Sequence, residues 1–194
     1  MKGLLGLSAI IDRMNEVIGK AMGAAILLAV LVSAGNAVVR KVFSISSNAW
    51  LELQWYLFGA AFMLAAAYTL KQNDHIRVDI FYASRSRRTQ HWIDLFGHVV
   101  FLMPFVLLMA WMLVPYAWRA FQSGEISTNS GGLLIWPARM LLAAGFVLLA
   151  LQGMSEIIKK IAVMRGIIPD PAPFLTAKEA AELEVQALAK EIKS

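Results

Sequence analysis

The chain contains no cysteine, which excludes disulfides, thiolate zinc sites and iron–sulfur clusters. Charge is almost as scarce. Asp, Glu, Lys and Arg together make up 16% of its 194 residues, against 59% hydrophobic residues. Residues 21–39, 53–70 and 95–118 hold none of these four residue types. A shorter clean stretch, 140–155, lies between Arg139 and Glu156. A bilayer core of about 30 Å is crossed by about 20 apolar residues in a helix. Three stretches reach that length, and the fourth does so once Trp136 and a snorkelling Arg139 are included. A soluble helical bundle would keep a polar face on every helix, and AMGAAILLAVLVSAGNAVV has none. The fold expected is all-α: a polytopic membrane protein with four transmembrane helices, near 17–39, 49–70, 92–116 and 136–158.

Catalytic signatures are missing too. No Walker loop, G-x-G-x-x-G, G-x-S-x-G or H-E-x-x-H occurs, so no enzyme activity is expected. No two spans place carboxylates near mid-membrane, and no inverted repeat or pair of broken helices marks a substrate site. His91 and His98 share a helical face, but no other span offers a deep histidine for a haem or metal, so no cofactor and no metal is expected. Four helices with nothing to bind a substrate read most simply as part of a larger assembly.

At the N-terminus, MKGLLGLSAIIDR looks like a signal peptide only briefly, because Asp12, Arg13 and Glu16 follow without a small-x-small cleavage site. Leu4, Leu7, Ile11, Met14 and Ile18 instead recur at three- and four-residue steps, opposite Asp12, Glu16 and Lys20. That pattern predicts an amphipathic helix over 1–16 on the membrane surface, running into span 1. Beyond the membrane domain at 17–160, IIPDPAPF is a Pro-rich linker within 161–194, and Thr176-Ala-Lys-Glu179 is a capping-box start for a short charged helix.

The +5 net charge is distributed by side of the membrane, not gathered for nucleic acid. If all four stretches span, fourteen Lys and Arg residues share the side of the termini and four (Arg40, Lys41, Arg119, Arg139) take the other. The positive-inside rule then places both termini in the cytoplasm.

Several polar residues stand out against this background. Span 1 carries small residues at four-residue steps, Ala25, Ala29, Ser33 and Ala37, which permit close helix approach. Asn48 is a plausible N-cap for span 2. Trp50, Trp55 and Tyr56 suit an interfacial aromatic belt, whereas Glu52 and Gln54 need a partner or water at that depth. Glu52 has three readings: a carboxylate snorkelling to headgroups, a polar contact to a neighbouring helix or subunit, or a proton-coupling group. In the 71–91 loop, Asp74, His75, Arg77 and Asp79 alternate in sign and form a candidate structural or interface network. Arg85, Arg87 and Arg88, with Arg40, Lys41 and Trp50 on the opposite side, are candidate lipid-headgroup contacts. Pro104 should kink span 3, Pro115 should help end it, and Trp136–Pro137 should open span 4. The outer loop RAFQSGEISTNSGGLL reads as short and polar, with a flexible Gly131–Gly132 pair.

Taken together, LELQWYLFGAAFMLAAAYTLKQNDHIRVDIFY, with Glu52 and Gln54 opening span 2 and His75-x-Arg77-Val78-Asp79 after it, and SGGLLIWPARMLLAAGFVLLALQGMSEIIK later, carry a resemblance. Over roughly residues 15–165 the chain resembles the small membrane subunit (DctQ family) of tripartite ATP-independent periplasmic (TRAP) transporters. The resemblance implies a large membrane subunit of the DctM family and a periplasmic substrate-binding protein as partners, with phospholipid around them. It also implies sodium-driven uptake of organic acids in the bacterial inner membrane, with this subunit bracing the large one. Glu52, Gln54, Trp55, Asp74, His75, Arg77, Asp79, Trp136 and Pro137 are the interface or network candidates. Two other readings belong to different classes: a homodimeric proton-coupled four-helix antiporter using Glu52, and a cytochrome-type electron carrier.

Overall fold

The computed structural model of the chain describes residues 1–45, 47–72 and 86–170. Asp74, His75, Arg77, Asp79, Arg85 and the Thr176–Glu179 pattern therefore lie outside the described residues. Four long helices account for nearly everything described: α1 (Lys2–Phe43), α2 (Asn48–Gln72), α3 (Arg87–Ser123) and α4 (Trp136–Met164). All four are long and apolar enough to cross a membrane.

The interior is built from small residues and the outside from large ones. Among the described residues nine of the twelve buried apolar ones are alanines, while Trp55, Phe58, Phe62, Phe101 and Trp111 are exposed. Water would reverse that arrangement. In lipid, where tails are as apolar as leucine, helices gain by close approach, and small residues permit it. Gly19 receives the ring of Tyr68 from α2. Gly145 of α4 faces Met63 so closely that a Cβ there would lie 2.9 Å from the Met63 carbonyl oxygen. These contacts make α4 the centre of the molecule. It packs against α1, α2 and α3, and α1 and α2 also pack on each other. Among the described residues α3 leans on α4 alone, with no comparable contact to α1 or α2.

The course of α1 and α3 traces to particular residues. The first 103 residues contain no proline, and Gly19 is held in place by Tyr68, so nothing interrupts α1. The segment expected to lie along the surface at 1–16 is helical and continues into span 1 as one element of 42 residues, about 63 Å long. Part of its polar side faces inward, although Lys20 is exposed and Ile11 of the apolar row is buried. Ser8 and Asn15 are buried against α4, while Leu4, Leu7 and Met14 are exposed.

Pro115 does not end α3. The helix runs on to Ser123 and stops at Gly124, whose φ of 61° supplies the left-handed turn that terminates helices readily. Pro104 follows a π-helical stretch, Gly97–Leu102, in which the Met103 N–H reaches back to the His98 carbonyl. Proline cannot donate to the residue four before it, and the widened turn reorganises the ladder just ahead of it. Pro137 does sit in the first turn of α4.

Candidate functional site

Polar side chains gather at the two ends of the helices and are organised differently at each. At one end the residues between α3 and α4 form a small hairpin. Ile126 bridges Leu134, the Ser127 N–H donates to the Leu133 carbonyl at 2.9 Å, and the Ile135 N–H donates to the Glu125 carbonyl at 2.9 Å. Gly131 takes a φ of 69° at the tip, and the Gly132 N–H closes the turn onto the Asn129 carbonyl. The glycine pair is therefore part of a defined turn.

Glu52, one turn into α2, enters this hairpin. It accepts hydrogen bonds from the Ser127 hydroxyl, from Asn129 Nδ2 at 2.8 Å and from the Leu133 backbone N–H at 2.6 Å. All three donors are neutral, and they come from one loop, so the carboxylate fastens α2 to the α3–α4 connection. Two neighbours one turn away on the same face add to the fastening. Asn48 Nδ2 donates to the Ser130 carbonyl at 2.9 Å, and the Tyr56 hydroxyl to the Leu134 carbonyl at 3.0 Å. The Asn48 side-chain amide thus also serves the hairpin.

Gly132 passes so close that a Cβ would fall 2.6 Å from Ser127 Cβ and 2.8 Å from Glu52 Oε1. Arg139 grips Glu125 with both guanidinium nitrogens, at 2.6 and 3.1 Å, and lies 4.2 Å above the Tyr116 ring. Trp136 packs edge-on against Phe121. Trp55 borders a cleft beside Ser127 and Asn129 of the hairpin, whereas Gln54 does not line it. Both line a groove of about 890 Å³ between α2 and the Ala29, Ser33, Ala37 face of α1. Arg40 and Lys41 in the last turn of α1, and Trp50, are exposed at this end.

At the other end the network is charged and joins two helices directly. Lys159 of α4 reaches Asp12 of α1 at 2.8 Å and Glu156 at 2.6 Å. Gln152 Nε2 donates to Asp12 and Glu156, both at 2.8 Å, and its carbonyl accepts from Asn15 Nδ2 at 2.8 Å. Ser155 donates to Asp12 at 2.7 Å and meets the Ser8 hydroxyl at 2.6 Å. Farther out, Lys71 of α2 pairs with Glu16 at 2.6 Å, Lys160 of α4 with Asp94 at 2.6 Å, and His91 lies 3.3 Å from Asp170. Arg87 is half-buried and engaged, and Arg88 is exposed.

Sequence reading had missed the α1–α4 network. Its signal was nevertheless there, in two polar rows of matching helical spacing: Ser8, Asp12, Asn15 and Gln152, Ser155, Lys159. Neither row stands out while each is read as a solvent face. Among the described residues no group of three or more His, Cys, Asp or Glu side chains is arranged to hold a metal. The arrangement does no covalent chemistry; it ties four helices into one body.

Comparison with curated proteins returns no match. The family described as "Tripartite ATP-independent periplasmic transporters, DctQ component" matches residues 28–163, which takes in the last part of α1, all of α2 and α3, and nearly all of α4. The chain belongs to that family: it is the small membrane subunit of a TRAP transporter, a multi-pass protein of the inner membrane and not an enzyme.

Proposed function

We propose that this subunit is a static brace for the large membrane subunit during sodium-coupled uptake of an organic acid, and that no solute passes through its own helices. The observation that carries this reading is the engagement of Glu52. A carboxylate that couples transport to an ion must exchange partners, but this one is held by three donors of a single hairpin. The same contacts weigh against the antiporter reading. The charged α1–α4 fastening at the opposite end supports the reading as well, since a wall for a moving neighbour must itself resist deformation.

The excess of Lys and Arg at the end of the termini favours a cytoplasmic location for that end, which puts the 124–135 hairpin on the periplasmic side, facing the binding protein. Arg40, Lys41 and Trp50 on one rim, and Arg87 and Arg88 on the other, are then suited to phospholipid headgroups.

Liposome reconstitution tests the reading. The large subunit with the binding protein should take up solute only when this subunit is present, and this subunit alone should accumulate nothing. Full uptake without it, or sodium-driven accumulation by it alone, would refute the brace.

A further inference from the structure

Among the described residues α3 has the least support of the four helices, and its outward face is the most unusual. Its inner side, with Val106, Ala117 and Ala120 fully or almost fully buried, lies on α4. Pro104, Leu108, Trp111, Pro115 and Trp118 run down the opposite side at alternating steps of four and three, and all are exposed. That spacing makes a continuous seam along a helix, the pattern by which one helix packs against another.

Two polar groups lie on this seam at a depth where lipid offers them nothing. Trp111 is 76% exposed, and its indole N–H has no acceptor among the described residues. Tryptophan ordinarily sits at the membrane interface, where its N–H meets water or a headgroup. Trp111 stands eight residues from Arg119 and seventeen from Asp94, about 12 Å and about 26 Å along the helix, well inside a core about 30 Å thick. Pro115, inside the helix, has no N–H, so the Trp111 carbonyl lacks its ordinary donor four residues on. One residue thus presents both a donor and an acceptor on the exposed side of a helix. Hydrocarbon satisfies neither, and backbone groups freed by a membrane proline are normally served by a neighbouring helix.

We infer that the Pro104–Leu108–Trp111–Pro115–Trp118 face of α3 is where a transmembrane helix of the large subunit docks, with a hydroxyl or amide side chain of that helix meeting the Trp111 indole N–H and carbonyl. This rests on the bracing reading above and adds its location. Acyl chains have no hydrogen-bonding groups at this depth, which excludes lipid as the cover. The large subunit is the membrane partner that the family assigns to this chain.

The chain lacks native cysteine, but a photoreactive residue tests the face without relying on disulfide geometry. A benzophenone amino acid placed singly at Leu108, Trp111 or Trp118, and at Phe62 of α2 as an exposed control, is irradiated in the complex purified in mild detergent. The expected adduct joins this chain to the large subunit, several-fold more strongly from the three α3 positions than from Phe62. Adducts at twice this chain's own mass would put a second copy on the face and overturn the inference. So would an absence of protein adducts from α3 while the large subunit still co-purifies. If the large subunit does not co-purify at all, the bracing reading falls and takes this location with it. A Pro115→Ala variant sharpens the test, since it removes a helix breaker and leaves the isolated chain at least as stable. It restores the donor to the Trp111 carbonyl, and recovery of the large subunit should drop by up to roughly ten-fold, as for one lost buried hydrogen bond. Unchanged recovery would remove the carbonyl from the contact.

Discussion

The two ends of this molecule solve one problem with opposite chemistry. At the hairpin end a single carboxylate, Glu52, is surrounded by neutral donors from one loop. At the end of the termini, Asp12 and Glu156 share Lys159, and neutral Gln152 and Ser155 fill the gaps between helices. The difference follows from what each end must hold. A twelve-residue connection has backbone N–H groups to spare and needs one strong acceptor to organise it. Two packed helices have already satisfied their backbones, so only side chains are left to join them. The hairpin lock therefore depends on the shape of one loop, and the helix lock depends on pairing between side chains.

The sharpest way to break the comparison is Glu52→Leu. Removing the acceptor leaves Ser127, Asn129 and the Leu133 N–H without their common partner, and the hairpin should open. Limited proteolysis should then cut between Gly124 and Ile135 many times faster than in the unaltered protein, with the helices protected. Equal protection would show that the loop holds itself.

At the other end, Gln152→Leu orphans the buried Asn15 amide and takes a donor from both carboxylates, a loss of about 1–3 kcal/mol read from thermal unfolding in detergent. Adding Asn15→Leu should recover part of that loss, because two apolar partners of similar size leave no orphan at that position. An additive double variant would mean that the two amides do not act as a pair.

Gly132→Ala probes the hairpin by volume alone. Its Cβ would press on Ser127 and Glu52, and about 1 kcal/mol or somewhat more of overpacking should appear in the same melt. The smallest effect is expected from Lys20→Gln. That residue bonds Glu16 at an exposed site, where solvent and salt weaken the pair, while Lys71 still holds Glu16. No measurable change in melting should result, at low salt or high.

Much of the fold was legible in the chain. Charge-free stretches of membrane length mark the four helices, because lipid tolerates neither charge nor unsatisfied backbone. Pro137 behaves as the helix opener its position predicts. Other residues were ambiguous for a physical reason: Ser8, Asp12 and Asn15 have the composition of a solvent face, and only the position of α4 turns that face inward. Pro115 reads as a stop signal by local rules, yet the helix continues because the apolar residues around it, through Trp118 and Ala120, still gain by crossing the membrane and packing on α4. Glu52 was marked by its depth, but its partners lie 75 and more residues away in a loop that reads as merely polar.

What the chain determined alone is the solvent it requires, the number of its helices and the charge asymmetry of its ends. These follow from composition counted along a line, and folding does not alter them. Tertiary structure decided which helix takes the centre, which carboxylate is bound by a loop and which by a lysine, and which side of α3 is left uncovered. Each of those depends on groups distant in sequence coming within a few ångströms, where a hydrogen bond or a glycine contact is gained or lost.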